Sequence, residues 1–523
     1  MCKFSKRGVI QLSSKKILLI AVVNSAFFSN AAIDQIAYYL RGNGKSVDTL
    51  YFQKDDSIED IQSVLSLEYD VFGLSVDYSW LDISFAIANH IKLHALCKTV
   101  CFGGSFSTTM YKDILEDCSS VDYIVLGDGE IPFEYLLDNL GKADFKDYSY
   151  IASKGNTEEK NPYINESVDW GQVDDYFLNK NNVANIYCML TKSNCCTGHC
   201  SFCCARKSKK IIYKSADSIV EEIIYKHQKH GIETFYFADD DLTDPGDEIA
   251  KNRLFELCDK IILQHKKMFF SCYIKSHSFE DTENDISLLK KMREAGFMGM
   301  FVGIESGNES DLKLYNKKTT VPENYKIIEL LRKCDIMPMI GFINFNPFST
   351  LETLRENFVF LRNIKCLNLA SYAFSFLQLY KYTPIYNLLL KKDLLTSKYT
   401  YKDTLEYNYE NNDVQRMASF LQDNFGNDTR FKNLYEVDEV IYMYKCLSRH
   451  HSDIGGIDDS LYAKTEIYFK EIIAYFSKFY IDNDLGYCYK HLELFKNNLL
   501  KMEDNFKSLR NKIMKQNIRD RRM

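Results

Sequence analysis

The run Cys195-Cys196-Thr197-Gly198-His199-Cys200-Ser201-Phe202-Cys203-Cys204 holds five cysteines within ten residues. Only Cys196, Cys200 and Cys203 satisfy a C-x3-C-x2-C spacing, because every other starting cysteine places a different residue at the second or third position. A short loop with this spacing can present three thiolates to one inorganic centre. Iron–sulfur cubanes normally have four cysteine ligands, so three would leave one iron open to a substrate or cofactor.

Two other interpretations of this loop remain open. One is a structural zinc site, which needs a fourth ligand that Cys195, His199 or Cys204 could supply. The other is a set of reduced thiols that bind no metal. A short motif is a hypothesis until the surrounding fold supports it.

The composition indicates a globular protein of several domains. The chain has 523 residues, 46% hydrophobic and 26% charged, which is enough for two to four domains. No stretch approaches the roughly 20 apolar residues of a membrane span. Five of the 16 cysteines lie between Cys195 and Cys204, which is not typical of a secreted disulfide framework and favours a reducing cytoplasm. A formal charge of −7 gives no strong nucleic-acid signal.

Strands and helices alternate over residues 15–142, after an N-terminal tail of residues 1–14. The apolar run Lys16–Val23 is typical of a strand buried on both faces of a parallel sheet, and a helix is predicted over Ile58–Leu67. These features predict a doubly wound, Rossmann-like α/β domain. Its small and polar residues follow the predicted strands, at the edge where such sheets bind ligands. They are Ser75, Gly103, Gly104, Ser105, Gly127, Gly129 and Glu130.

The rest of the chain is predicted to form a linker (143–184), a partial (β/α)6 barrel (185–395) and a helical C-terminal domain (396–523) that caps the barrel. The barrel would have six strands, the last over Ser371–Leu379. Functional loops of such barrels follow the strands. Candidate side chains in these loops are Asp239, Asp240, Glu305 and Ser306.

The cysteine spacing, with the aromatic Phe202 before the last cysteine, resembles the cluster loop of the radical SAM superfamily. The aspartate pair 239–240, the Gly-Ile-Glu-Ser-Gly segment 303–307, the proline turn 344–350 and Thr383-Pro384 follow in the family's order. The resemblance covers about residues 15 to 395. One departure is that the turn 344–350 lacks both glycines of the family's Gly-x-Pro-Gly-x-Thr pattern.

This resemblance implies a 4Fe–4S cluster on Cys196, Cys200 and Cys203 that cleaves S-adenosylmethionine to a 5′-deoxyadenosyl radical. A reductant such as flavodoxin or ferredoxin would supply the electron. Glu305 and Ser306 would bind the ribose or methionine part of S-adenosylmethionine. Asp239 and Asp240 would do likewise or face the substrate, unless these acids cap helices or lie in solvated loops.

The first domain resembles the cobalamin-binding domain that precedes the radical domain in many radical SAM enzymes. The resemblance rests on Gly103-Gly104-Ser105 and on the turn 127–130, which would hold the nucleotide tail of cobalamin. The Asp-x-His-x-x-Gly signature is missing and no histidine precedes His90, so this domain would give cobalt no histidine ligand. The alternative is a domain of this type that has lost its ligand and covers the barrel.

These resemblances imply cobalamin-dependent methylation of an unactivated carbon. One alternative is radical rearrangement, cyclisation or crosslinking of a peptide or natural-product intermediate without methyl transfer. Another is a metal-stabilised binding module without enzymatic activity. No motif identifies the substrate, which we expect to be a small molecule or a peptide.

Overall fold

The structure is a computed structural model in which the chain divides into two compact units. One comprises Met1–Cys188 with Gln228–Ile232, and the other comprises Met189–His227 with Glu233–Met523. The residues that the structure describes are 15–23, 30–53, 56, 69–94, 97–141, 145, 148–165, 186–193, 196–205, 211–244, 248–366, 368–426 and 455–520. The predicted helix over Ile58–Leu67 lies outside them.

A six-stranded sheet of order β2-β1-β3-β4-β5-β6 forms the core of the first unit. Strands β1 to β5 are parallel, and the burial of all residues from Ile17 to Val23 matches the predicted central strand. The strand order changes direction between β1 and β3, where doubly wound sheets bind ligands. The strands are Lys16–Val23, Ser46–Gln53, Val71–Ser75, Thr99–Gly103, Tyr123–Val125 and Ile151–Ser153. The helices are α1 (Ala31–Gly42), α2 (Leu81–His94), α3 (Ser105–Thr109), α4 (Tyr111–Asp117) and α5 (Glu130–Asn139).

Part of the predicted linker belongs to this sheet. Strand β6 (Ile151–Ser153) pairs antiparallel with β5, and Tyr163 forms a parallel bridge with Gly127. The apolar Ile151 and Ala152 are fully buried, which explains why this short polar-flanked segment pairs with the edge of the sheet. The interpretation of residues 151–163 as linker was therefore wrong, while 166–185 lie outside the described residues.

A five-stranded sheet has its strands in sequential order, and its parallel strands β8 to β11 belong to the second unit. The strands are β7 (Ile186–Met189), β8 (Thr234–Phe237), β9 (Phe269–Lys275), β10 (Phe297–Glu305) and β11 (Met337–Phe342). The helices between and after them are α6 (Ala216–His230), α7 (Glu248–Ile262), α8 (Glu283–Ala295), α9 (Glu309–Leu314), α10 (Val321–Lys333) and α11 (Leu351–Asn363). Helix α8 ends at Gly296, whose φ of 112° is left-handed and suits a glycine.

The predicted sixth strand, Ser371–Leu379, is wrong in its first part. Helix α12 (Leu369–Ala373) occupies that part, and a single parallel bridge between Phe345 and Phe376 follows it. All five residues of this helix are buried, and a short apolar run that is buried all round has no periodicity to separate helix from strand. Among the described residues, the barrel sheet therefore has five strands.

The C-terminal region is helical, as predicted, and belongs to the second unit. The Tyr480 hydroxyl donates to the Ala373 carbonyl over 2.6 Å and accepts from the Asn344 amide over 3.0 Å. Its ring stacks on Phe358, with centroids 5.5 Å apart. These contacts hold the C-terminal region against the turn after β11. The helices are α13 (Pro384–Lys391), α14 (Asn412–Leu421), α15 (Gly455–Tyr480) and α16 (Leu485–Asp520). Within the described part of the chain, no helix combines the length and the apolar character needed to span a membrane.

Candidate active site

The loop that carries the cysteines is fixed at both of its ends. At its start, Asp239 accepts hydrogen bonds from the Thr191 amide (2.9 Å), the Thr191 hydroxyl (2.7 Å) and the Lys192 amide (3.1 Å). The amide of Lys214 donates to the Thr191 carbonyl over 2.9 Å, which joins the end of the loop to its start. The loop is therefore closed at its base by main-chain and buried side-chain bonds.

The middle of the loop is held by residues far away in the sequence. The Ser201 amide donates to the Tyr315 carbonyl over 2.9 Å, and its hydroxyl donates to the Leu314 carbonyl over 2.7 Å. The Ser201 carbonyl accepts from the Ile385 amide over 3.0 Å. The rings of Phe202 and Tyr315 meet edge to face, with centroids 5.4 Å apart. The ring contact with Tyr315 explains why an aromatic residue lies between the second and third cysteines.

The three predicted ligands, Cys196, Cys200 and Cys203, are partly exposed thiols outside any disulfide. The Gly198 amide donates to the Cys196 sulfur over 3.3 Å, and the Ala205 amide donates to the Cys203 sulfur over the same distance. Amide donors of this kind stabilise negative charge on cysteine sulfur and tune iron–sulfur sites. The donor set and its N–H···S bonds fit a cubane with one open iron.

The alternative zinc ligands have less support. Cys195 lies outside the described residues, and Cys204 is a partly exposed thiol. Among the residues that the structure describes, no three Cys, His, Asp or Glu side chains converge as a single metal ion requires. Each cysteine of a cubane binds a different iron, so a cluster does not need that convergence. The ligand assignment to Cys196, Cys200 and Cys203 stays a prediction.

A lysine that sequence reasoning missed lies beside the loop. Lys275 is the last residue of β9, and its ammonium nitrogen is 2.7 Å from the Thr197 hydroxyl and 2.8 Å from a carboxylate oxygen of Asp241. Burial lowers the pKa of Lys275, but the charges of Asp241 and Cys196 raise it more, so the net shift is upward. Burial also raises the pKa of the Cys196 thiol, against the opposing charge of Lys275. The position of Lys275 at the carboxyl end of a strand is the one sequence feature that could have pointed to it.

Glu305 ends β10 with a left-handed φ of 67°, directly after a register irregularity at Gly303. Its carboxylate is 3.4 Å from the ammonium of Lys317. A side chain on Gly303 would place its Cβ 2.9 Å from the Glu305 carboxylate and 3.0 Å from the Lys317 nitrogen. Gly341 lies next to Gly303 on β11, and a Cβ there would be 3.4 Å from the same carboxylate. Because neither glycine has a side chain, there is room beside them for the Glu305–Lys317 ion pair.

Ser306 is fully buried in a polar network rather than open to a pocket. Its hydroxyl lies 3.1 Å from Asp311 and 2.8 Å from the Asn357 side-chain oxygen. The Asp311 carboxylate also accepts from the side-chain amides of Asn308 (2.8 Å) and Asn346 (2.9 Å). Burial raises the pKa of Asp311, and these neutral donors oppose the shift. The network gives Ser306 a structural role, and its contact with S-adenosylmethionine stays a prediction without direct support.

The adjacent acids Asp239 and Asp240 differ in their surroundings. Asp239 is fully buried, and its two oxygens accept the three bonds at the base of the loop. Burial raises its pKa, and those bonds together with the Arg253 charge oppose the rise. Asp240 is exposed. A ligand contact remains a prediction for both, and the geometry favours Asp240.

Replacing Asp239 with alanine should destabilise the second unit by at least about 2 kcal/mol, because it leaves the Thr191 and Lys192 amides buried without an acceptor. Urea denaturation of the intact chain measures this change. The matched control is Asp240→Ala, which removes an exposed carboxylate and should stay within about 0.5 kcal/mol of the parent. Equal effects of the two substitutions would contradict the structural role of Asp239.

In the first unit, the structure brings four predicted residues together at the carboxyl edge of the sheet. Ser75 and Gly103 are register partners on β3 and β4, and Ser105 begins α3. Gly104 has a φ of 100°, and a Cβ there would lie 3.0 Å from the Val76 carbonyl oxygen. The main chain therefore turns closely past the end of β3, which is the geometry that a ligand at this edge requires.

The other three predicted residues have packing roles that the sequence did not indicate. A Cβ on Gly127 would lie 2.2 Å from the Tyr163 carbonyl oxygen, and one on Gly129 would lie 2.7 Å from Ile36. Glu130 is 5% exposed and accepts from the Gln35 side-chain amide over 2.8 Å. These contacts account for the residue types without a ligand, so cobalamin contacts for Gly127, Gly129 and Glu130 stay predictions.

Comparison with known proteins agrees with this geometry. Residues 190–361 match the family model of the radical SAM superfamily, a segment that includes the three cysteines, Lys275 and Glu305. Residues 190–361 are a radical SAM domain. The match confirms the family resemblance from the cluster loop to the turn 344–350, whereas Thr383-Pro384 lies beyond the matched segment.

A curated relative of this radical SAM protein is the anaerobic magnesium-protoporphyrin IX monomethyl ester cyclase of Cereibacter sphaeroides. The two are 28% identical over 271 residues, which cover 49% of this chain and 43% of the cyclase. The matched part of the radical SAM protein thus spans less than half the length of this relative.

Two solved structures have a similar fold. The cobalamin-dependent S-adenosylmethionine radical enzyme OxsB, with aqua-cobalamin bound, matches with a TM-score of 0.71 and 17% identity, over 97% of this chain and 81% of OxsB. The radical S-adenosylmethionine methyltransferase TsrM from Kitasatospora setae, with cobalamin and a 4Fe–4S cluster bound, matches with a TM-score of 0.57 and 18% identity, over 72% of this chain and 78% of TsrM. These likenesses confirm the predicted fold class of the radical SAM protein.

Proposed function

We propose that this radical SAM enzyme holds a 4Fe–4S cluster on Cys196, Cys200 and Cys203 and uses S-adenosylmethionine and cobalamin to methylate an unactivated carbon. The observation that carries the proposal is the cysteine loop itself, which is closed at its base and offers three thiols, two of them with amide donors. The cofactors supply the radical and the methyl group when bound, and the protein supplies binding and orientation.

The Glu305–Lys317 pair is the best-supported contact for S-adenosylmethionine. It lies beside two glycines at the carboxyl edge of the sheet, where ligand sites of such barrels form. A carboxylate there can accept hydrogen bonds from ribose hydroxyls or from the methionine amino group. The neighbouring ammonium fixes the carboxylate, so that its orientation is set before the ligand arrives.

Support for cobalamin comes from the edge formed by Ser75 and residues 103–105, and from the fold shared with OxsB and TsrM. The main chain at Gly104 can approach a ligand closely, and the Ser75 and Ser105 hydroxyls can bond to a phosphate or ribose. Because no histidine precedes His90, cobalt would receive no histidine from the loops after the first strands.

The test is the cofactor content of protein produced without oxygen and with cobalamin supplied. We expect about one corrin and about four irons per chain, with matching sulfide. Four irons without corrin would contradict the methylation proposal and leave the radical chemistry. One zinc without iron would contradict the radical chemistry and support a metal-stabilised binding module.

A second candidate function is radical rearrangement, cyclisation or crosslinking without methyl transfer. It is favoured by the curated relative, whose name describes a cyclase. Product analysis with deuterated methyl groups on S-adenosylmethionine separates the two candidates. Methylation transfers label to the product, whereas rearrangement or cyclisation gives an unlabelled product. A flavodoxin or ferredoxin is the proposed electron donor in either case.

A further inference from the structure

We infer that Lys275 and Asp241 form a charge pair that sets the reduction potential of the cluster site, with the ammonium fixing Thr197 and favouring the reduced state. The inference rests on the proposed cluster ligands and gives Lys275 and Asp241 an electrostatic role beside them. Reduction adds one electron from a low-potential reductant and makes the cluster more negative by one charge. A fixed cation nearby therefore favours reduction, and a fixed anion opposes it.

The ammonium is held in one place by buried partners. Its side chain is 13% exposed, and that of Asp241 is 0% exposed. The other Asp241 oxygen accepts from the Thr243 amide (3.2 Å) and the Thr243 hydroxyl (3.1 Å). The Thr243 hydroxyl also lies 2.6 Å from that of Ser278, which in turn accepts from the Lys275 amide over 3.0 Å. Asp241 and the main chain of Lys275 therefore belong to one connected unit.

The ammonium lies on the side of the pair that faces the cysteine loop. It is the nitrogen of Lys275, not the Asp241 carboxylate, that contacts the Thr197 hydroxyl. A Cβ on Gly198 would lie 3.3 Å from the Cys196 sulfur and 3.8 Å from the Lys275 nitrogen. The cation and the sulfur thus flank the same glycine. Because this position has a low dielectric constant, the charge of Lys275 is screened less than the charge of an exposed lysine.

Removing the cation and removing the anion should shift the midpoint potential of the cluster in opposite directions. Lys275→Met removes the cation, and the equilibrium constant for one-electron reduction should fall about tenfold, a midpoint shift of about 59 mV to more negative values. Asp241→Asn removes the anion but leaves an oxygen for Thr243, and the midpoint should move to more positive values. Thr197→Val removes one hydrogen bond and no charge, so its midpoint should move less than either.

The experiment is a dithionite titration of the reconstituted full-length protein, followed by electron paramagnetic resonance, with iron content measured for each variant. Lys267→Met is the control, because it removes an exposed lysine before the opposite end of β9. Shifts of opposite sign support the inference, and unchanged midpoints at full iron content overturn it. If Lys275→Met fails to hold iron, the sign of the Asp241→Asn shift decides alone. Absence of any cluster signal in the parent protein would instead contradict the proposed function.

Discussion

Replacing Cys200 with alanine should remove the cluster and abolish S-adenosylmethionine cleavage. A cubane held by two cysteines instead of three loses a protein ligand to one iron, and the remaining loop cannot supply another sulfur at the same spacing. Iron should fall from about four per chain to a background level, and 5′-deoxyadenosine should fall below detection. The measurements are iron and sulfide analysis after anaerobic reconstitution, and product chromatography with dithionite present.

Cys204→Ala is the matched control for this prediction. Cys204 is also a partly exposed thiol of the same loop, but it lies outside the C-x3-C-x2-C spacing. This variant should keep both iron and cleavage. If Cys204→Ala lost iron while Cys200→Ala kept it, the register of the ligand set would be wrong. The first unit should keep its fold in both variants, because its sheet contains none of these residues.

The fold was predictable where burial leaves a strong pattern in the sequence. The continuous apolar run Lys16–Val23 became the buried strand β1. The pattern of apolar residues did not predict the conformation of the short helix Leu369–Ala373, which is buried on all sides. It also missed the strand Ile151–Ser153, which is very short. In both places tertiary contacts, rather than periodicity, decide the conformation.

The candidate site was predictable only in part, because spacing reveals ligands that are neighbours in the sequence. Cys196, Cys200 and Cys203 share one loop, so their spacing was visible. The contact of Lys275 with Thr197 joins residues 78 positions apart, and that of Asp311 with Asn346 joins residues 35 apart. Single lysines and asparagines carry no pattern that would indicate such partners.

The network around Asp311 separates the roles of the glutamate and the serine in the Gly-Ile-Glu-Ser-Gly segment. Its glutamate faces Lys317, while its serine is buried against the Asp311 carboxylate and the Asn357 side-chain amide. The same network continues through the Asn346 amide to the Tyr315 hydroxyl, over 2.9 Å, and Tyr315 holds the cysteine loop through Ser201. Two adjacent residues thus differ in their surroundings: Glu305 lies at the carboxyl end of its strand, and Ser306 belongs to the network that supports the loop.

Replacing Gly303 with valine should weaken the binding of S-adenosylmethionine by about a hundredfold without loss of iron. The new Cβ would lie 2.9 Å from the Glu305 carboxylate and 3.0 Å from the Lys317 nitrogen, so both charged groups must move. They are the ends of flexible side chains, and valine suits a strand, so we expect the protein to remain folded. Displaced charged hydrogen-bonding groups cost about 1.5–3 kcal/mol, which corresponds to about a 10- to 150-fold loss of affinity.

Calorimetric titration of the reconstituted protein with S-adenosylmethionine, without reductant, measures this loss apart from catalysis. Gly426→Ala is the control, because a Cβ at Gly426 meets its nearest neighbour at an ordinary 3.8 Å. That variant should bind as the parent does. Iron should be unchanged in both, since the bonds that hold the cysteine loop do not include Gly303. Parent-like affinity in Gly303→Val would show that the Glu305–Lys317 pair does not contact the ligand, and Asp240 would become the leading candidate because its carboxylate is exposed.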